Sequence, residues 1–228
     1  NKEKNKMKVY QNKKIKVGYY SSDFFEHATM YLISGLLREH NQNRFEIHLF
    51  NYGKTKKSKL VDDTIKYVNS YHDISKMSDN EILKLSRKLQ IDIAIDLKGY
   101  TLNSRSKLFA QRLSPIQINF LGYPGTLGSS FIDYLIADKI LIPKEKKTNY
   151  SEKIIYMPNS YQPNDNKRKI SKKITYKKDF DLPINSFVFC CFNTTYKITP
   201  DEFDIWCRVL TKVNNSVLIW LPSTSASV

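Results

Sequence analysis

The feature that most constrains this chain is an alternation. Short apolar runs recur with helical patterns between them at intervals of about 10–15 residues, the signature of βαβ units and a parallel sheet. "KIKVGYY" (14–20) reads as a buried first strand, and "TMYLISGLLREHN" follows with Met30, Ile33, Leu36 and Leu37 at helical spacing. "RFEIHLFNYG" is a second strand, and "KLVDDTIKYVNS" predicts a helix through Leu60, Ile65 and Val68. After the short strand "YHDIS", Ser78 and Glu81 stand at capping-box spacing, so a helix starts there. "IDIAIDLKGY" and "PIQINFLGY" are strands joined by a short helix in "SRSKLFAQRL"; "FIDYLIAD" and "EKIIYMP" add further short elements.

In open sheets of this kind ligands bind beyond the carboxyl ends of the strands. That rule singles out "SSDFFEHA", "KGYTLNSR" and "GYPGTLGSS". The last of these holds Gly122, Gly125 and Gly128, three of the chain's seven glycines. Glycine is used where backbone turns sharply or approaches another group closely. The loop is therefore either a structural corner or the wall of a site.

The organisation predicted is a basic N-terminal linker over 1–13, an α/β domain over 14–161, a linker over 162–185 and the start of a second α/β domain over 186–228. The linker, "QPNDNKRKISKKITYKKDFDLP", is polar, basic and bounded by prolines. "FVFCCFN" then reads as a fresh buried strand, "TPDEFDIWCRVLTKV" as a helix capped by Thr199 with Pro200 in its first turn, and "SVLIWLP" as the next strand. Some 40 residues of a new sheet do not bury both its faces, so we expect a fragment of that domain, or an abnormal end in "STSASV". Cys190 and Cys191, adjacent in an apolar run, suit buried thiols better than a disulfide or zinc site, and Cys207 leaves the count odd. With no secretory h-region and no apolar run approaching the roughly 18 residues of a membrane helix, the expected setting is a reduced cytoplasm.

A net charge of +15 raises the question of nucleic acid. Arginine supplies only seven of the 37 basic residues, and the lysines cluster in segments that read as loops and linkers. Nucleic-acid recognition favours arginine forks and interleaved aromatics, so a solvated lysine-rich surface is the better reading. There is no G-x-G-x-x-G after the first strand and no phosphate-binding P-loop, which argues against a dehydrogenase or an NTPase.

His27 lies between the first strand and the first helix, where helix N–H groups favour an anion and an imidazole hydrogen-bonds a phosphate or takes a proton. A packing or surface histidine is the plain alternative. His40, His48 and His72 show no metal-ligand spacing with it. In "FNTTYKITP" Lys197 stands ready to neutralise a diphosphate before a capped helix, with Thr194 and Thr195 offering hydroxyls; a solvent-facing lysine is the alternative. The D-x-D string at Asp179–Asp181 sits in the lysine-rich linker and reads as solvated charge.

Taken together, "VGYYSSDFFEHAT" (17–29), "DLKGYTLNSR" (96–105), "LFAQRLSPIQINFLGYPGTLGSSFIDYLIAD" (108–138), "YSEKIIYMP" (150–158) and "VFCCFNTTYKITPDEFDIWCRVLTKVNNSVLIWL" (188–221) resemble the catalytic region of the peptide O-linked N-acetylglucosaminyltransferases, including SPINDLY-like proteins and bacterial relatives. Ser114 and Leu127 depart from the family's usual alanine and serine. The resemblance implies the GT-B fold, two Rossmann-like domains with the active site between them, the second incomplete here. It implies inverting, metal-independent transfer of a sugar, by default N-acetylglucosamine, from a UDP-sugar to Ser or Thr of a protein, with no cofactor. His27 matches the family histidine assigned as base or positioning group, and Lys197 the lysine that contacts the UDP diphosphate. Thr194 takes the place of a glutamine that contacts the nucleotide in animal members. Tyr123, Pro124, Gly125 and Thr126 would line the site near sugar and acceptor. The family's later His-Thr-Thr segment and its preceding tetratricopeptide helices have no counterpart in these residues, so this piece alone is expected to have little or no activity. The alternatives are O-fucosyl or N-glycosyl transfer within the same superfamily, and a non-catalytic Rossmann-like binding module.

Overall fold

Alternate residues of the first strand, β1 (Ile15–Ser21), point to opposite faces and meet different helices. Val17 and Tyr19 join a core with Met30, Ile33 and Leu37 of α1 (Ala28–Glu39), while Tyr20 joins Phe50, with Ile82 of α3 (Asp79–Lys88) and Phe109 of α4 (Lys107–Ala110). A strand covered on both faces by helices must be apolar almost throughout, as this one is. The computed structural model describes residues 7, 9–54 and 56–220. Residues 1–6 and 8 of the predicted N-terminal linker lie outside the described residues, as does the whole of the closing "STSASV".

The chain forms two compact units, residues 1–168 and 169–228. The first holds a seven-stranded sheet of order β3-β2-β1-β4-β5-β6-β7, parallel throughout. The remaining strands are β2 (Phe45–Asn51), β3 (Ser70–Asp73), β4 (Ile93–Asp96), β5 (Ile116–Asn119), β6 (Tyr134–Ala137) and β7 (Lys153–Tyr156). Strand order runs one way from β1 to β3 and the other way from β4 to β7. The carboxyl ends of β1 and β4 are therefore the topological switch point, where a doubly wound sheet opens a crevice.

Local signals behave as their chemistry requires. Ser78 and Glu81 close the capping box of α3 in both directions. The second helix is shorter than its apolar spacing predicts. α2 covers Lys59–Thr64 and then tightens into a 3₁₀ turn over Ile65–Tyr67, leaving Val68 extended. Thr64 Oγ1 donates to the Leu60 carbonyl at 2.7 Å, the back-bonding that disturbs a helix end. Val68 still packs on the core, which explains why the periodicity runs past the helix.

Residues 162–168, read from the sequence as the beginning of a linker, are strapped across α1. Arg38 grips Asp165 at 2.6 and 3.2 Å, and each raises the charged form of the other. Gly35 makes room: a Cβ there would lie 3.0 Å from the Asp165 Cα. Lys167 reaches Glu39 at 2.6 Å, and the Arg168 guanidinium lies 4.7 Å from the centre of the Tyr31 ring.

The second unit pairs β8 (Phe187–Cys191) with β9 (Ser216–Trp220) in parallel, joined by α5 (Pro200–Lys212). Thr199 and Glu202 form its capping box, with Pro200 in the first turn as predicted. The expectation of buried strand and buried thiols fails. Cys190 and Cys207 are exposed and Cys191 is half-buried, while Phe187 is 58% exposed. Two strands and one helix cover at most one face of this sheet among the described residues, so an apolar run does not guarantee burial. The Asp179–Asp181 string is structural: Asp179 accepts from the Tyr176 N–H at 2.8 Å, and Asp181 closes that turn in the left-handed region.

Candidate functional site

At the switch point the chain buries charge. Asp23, just past β1, accepts from Lys98 Nζ at 2.6 Å, and the two side chains are 8% and 7% exposed. Ser21 Oγ accepts from the Asp23 N–H at 3.0 Å, and Ser22 Oγ donates to Asp23 Oδ1 at 3.1 Å. Lys98 follows β4, whose last residue is Asp96. The Asp96 Oδ1 accepts from the N–H groups of Lys98 (2.8 Å) and Gly99 (3.1 Å), fixing the turn that aims Lys98 at Asp23. Burial pushes the Asp96 carboxyl up, against the pull of those hydrogen bonds.

His27 is the N-cap of α1: its Nδ1 accepts from the Thr29 N–H at 3.2 Å. The same nitrogen lies 3.5 Å from Asp23 Oδ2, and the imidazole is 40% exposed. The sequence placed His27 beside a helix start; the structure makes it the cap itself. A cavity of about 420 Å³ opens at this strand end, lined by Ser22, Asp23, Phe25, Tyr52, Lys54 and Asn103, among others. Lys56 lies 4.3 Å from the centre of the Phe25 ring, so the rim is cationic. Burial raises the Tyr52 phenol, and the nearby Asp96 carboxylate adds to the shift, so the group stays a neutral hydroxyl.

The glycine loop after β5 packs against the β4 loop. Gly122 passes the Leu97 carbonyl so closely that a Cβ would sit 2.0 Å from its oxygen, and Gly128 has φ +60°. Packing against the β4 loop therefore accounts for Gly122, and a left-handed turn for Gly128. A Cβ at Gly99 would lie 2.6 Å from the Tyr123 Cβ, and Tyr100 donates to the Leu127 carbonyl at 2.7 Å. Asn119 Nδ2 holds the carbonyls of Tyr123 and Gly125 at 2.9 and 3.3 Å. Thr126 is occupied: its hydroxyl donates to Glu152 Oε2 at 2.7 Å, and Glu152 Oε1 accepts from the Leu127 N–H at 2.7 Å. The structure thus brings Tyr123, Pro124, Gly125 and Thr126 to the same sheet end as His27, linked through Gly99, Lys98 and Asp23.

In the second unit Lys197 is exposed and ends a 3₁₀ turn over Thr195–Lys197, two residues before the cap of α5. Thr194 is exposed, and its carbonyl accepts from the Lys197 N–H at 3.0 Å. Three residues escaped the sequence reading: Asp23, Lys98 and Glu152. Asp23 and Lys98 do follow strands, yet nothing in the sequence pairs charges 75 positions apart. Among the described residues no group of three or more His, Cys, Asp or Glu is placed to hold a metal ion, and no helix is long and apolar enough to cross a membrane.

A parallel, doubly wound sheet with its polar centre at the strand-order reversal defines a Rossmann-like domain. The fold is matched by a solved structure of a mutant Thermobaculum terrenum O-GlcNAc transferase, with a TM-score of 0.77 and 24% identity over 91% of this chain and 38% of that one. The family model for glycosyl transferase family 41 matches residues 2–175 and 164–226, and the chain belongs to that family. The probable UDP-N-acetylglucosamine–peptide N-acetylglucosaminyltransferase SEC of Arabidopsis thaliana is 34% identical over 92% of this chain. The UDP-N-acetylglucosamine–peptide N-acetylglucosaminyltransferase of Caenorhabditis elegans is also 34% identical, over 67% of this chain. The chain spans 22% and 13% of those two relatives.

Proposed function

We propose that this chain is part of a protein O-linked N-acetylglucosaminyltransferase, acting in the cytoplasm on UDP-N-acetylglucosamine and on Ser or Thr of protein acceptors, with inversion and without a metal. The observation that carries the reading is the family match, which runs through both units and includes the segments bearing His27 and Lys197. The acceptor hydroxyl oxygen attacks the anomeric carbon and gives up its proton to solvent or to an oxygen of the departing diphosphate, the bond from that carbon to the diphosphate breaks, and UDP departs with the electron pair. Charge develops on the diphosphate. Lys197, an exposed ammonium at the entry to a capped helix, is suited to meet it, and such preorganised charge is often the largest catalytic term. His27 and the loop Tyr123–Thr126, at one sheet end, serve the acceptor side.

The test is transfer of labelled N-acetylglucosamine to a Ser/Thr peptide by the whole protein and its Lys197→Met variant, with and without EDTA. We expect a loss of about 10²–10³-fold in the variant, the scale for removing one charge-stabilising group, and no effect of EDTA. Undiminished transfer by the variant would remove Lys197 from the mechanism; transfer of fucose from GDP-fucose in place of N-acetylglucosamine would replace the donor.

A further inference from the structure

Two groups compete for one nitrogen of His27. The Thr29 N–H, 3.2 Å from Nδ1, needs a lone pair there. The Asp23 carboxylate, 3.5 Å from Nδ1, needs a proton there. A ring nitrogen either accepts or donates, so in the neutral imidazole one claim excludes the other.

The surroundings decide between them. Asp23 is already engaged on both oxygens, by Lys98 Nζ at 2.6 Å and by Ser22 Oγ at 3.1 Å. The lysine bond is charge-assisted and short, whereas 3.5 Å lies outside the usual range for an N–H···O bond. The Thr29 N–H belongs to the first turn of α1, has no intrahelical acceptor, and sits in a residue only 7% exposed. Leaving it unpaired is costly.

We infer that Lys98 is a positioning residue: by holding Asp23, it keeps the proton off Nδ1 of His27, so that the neutral imidazole presents Nε2–H, a hydrogen-bond donor, to its open side. Among the described residues no hydrogen bond reaches Nε2, and the ring is 40% exposed, so this donor is available to a ligand oxygen. The inference rests on His27 being the functional histidine of the proposed transferase, and it deepens that reading. A neutral His27 fixed in this tautomer grips an oxygen of the acceptor or of the donor; it has no lone pair at Nε2 with which to take the hydroxyl proton.

The tautomer is read directly from long-range ¹H–¹⁵N correlations of the imidazoles in the ¹⁵N-labelled 228-residue chain, at a pH above the ordinary imidazole range. His27 is assigned by the signals lost in His27→Asn. The parent is expected to show protonated Nε2 and bare Nδ1. Lys98→Met should swap the pattern, because the freed carboxylate then claims a proton on Nδ1. Lys98→Arg should keep the parent pattern. The double variant Asp23→Ala, Lys98→Met should also restore it, since the helix cap alone then governs. That double variant removes both charges of the buried pair, so it remains informative if Lys98→Met, with an unpaired buried carboxylate, does not fold. An Nδ1–H pattern in the parent or the double variant overturns the proposal, as does an unchanged pattern in a folded Lys98→Met protein. A merely structural lysine would alter stability and leave the tautomer alone. The measurement uses neither donor nor acceptor, so absence of transferase activity, which would sink the functional reading, is a separate result.

Discussion

Glu152 is a single buried carboxylate holding an entire loop, and replacing it by alanine isolates that work. Its side chain, in a residue 4% exposed, accepts from the Thr126 hydroxyl and the Leu127 N–H, each at 2.7 Å. Hydrogen bonds to a charged group contribute about 1.5–3 kcal/mol each, and a buried N–H left unpaired costs about 1–3 kcal/mol. The two bonds share one acceptor group, and the Thr126 hydroxyl finds water once released, so about 3 kcal/mol is the working figure. For a unit of 168 residues that corresponds to a melting temperature lower by about 6–12 °C. Leu127, 3% exposed and part of the α3–α4 core, should loosen with it. Urea unfolding of Glu152→Ala and Glu152→Gln, with hydrogen exchange at Leu127, measures this. The glutamine retains an acceptor for the Leu127 N–H and should lose about 1 kcal/mol. A Glu152→Ala protein within about 0.5 kcal/mol of the parent would refute the clamp, since that is the scatter of an ordinary surface substitution.

Gly122→Ala should destabilise by about 1–3 kcal/mol, because its Cβ would fall 2.0 Å from the Leu97 oxygen and backbone must shift; Gly128→Ala, in open space at φ +60°, should cost about 1–2 kcal/mol of left-handed strain with no repacking, so unchanged flanking amide shifts only for Gly128→Ala are expected by NMR. His48 and His72, bridged by Ser70 Oγ at 2.6 and 2.7 Å, are both pushed below the ordinary imidazole value by burial. The unfolded chain therefore binds protons more readily, and stability present above about pH 6.5 should be lost as the pH falls below it. Asp96, raised by burial, contributes with the opposite sign, so the comparison is with His48→Gln, whose urea midpoint should fall less between pH 7.5 and 5.5 than the parent's; equal slopes would remove His48 from the account. Asp165→Ala removes the anchor of the 162–168 strap, and trypsin should then cut after Lys167 and Arg168 faster than in the parent; equal cleavage rates would show that the strap does not depend on this ion pair.

How much was legible depended on whether a signal is local. Ser78 with Glu81, and Thr199 with Pro200 and Glu202, are helix starts because each pair satisfies N–H groups within one turn, and sequence spacing states that directly. His27 could be placed at a helix start from its position after β1, and the glycines of the loop after β5 could be recognised as special. Their reasons could not, since Gly122 is explained by a carbonyl on β4's loop and Thr126 by a carboxylate 26 positions away.

The alternation of apolar runs and helical patterns by itself determined the parallel α/β class, because buried strands need helices on both faces and each period is written in consecutive residues. Family membership likewise lay in the order of motifs along the chain. Only the tertiary structure decided which charges meet at the strand-order reversal. Asp23 and Lys98 are brought together by the pairing of β1 with β4, and their energy is a property of a distance and of exclusion from water, neither of which any stretch of sequence carries. The same holds for the thiols of β8: apolar neighbours suggested burial, but coverage is decided by what packs on a sheet, and α5 leaves Cys190 exposed.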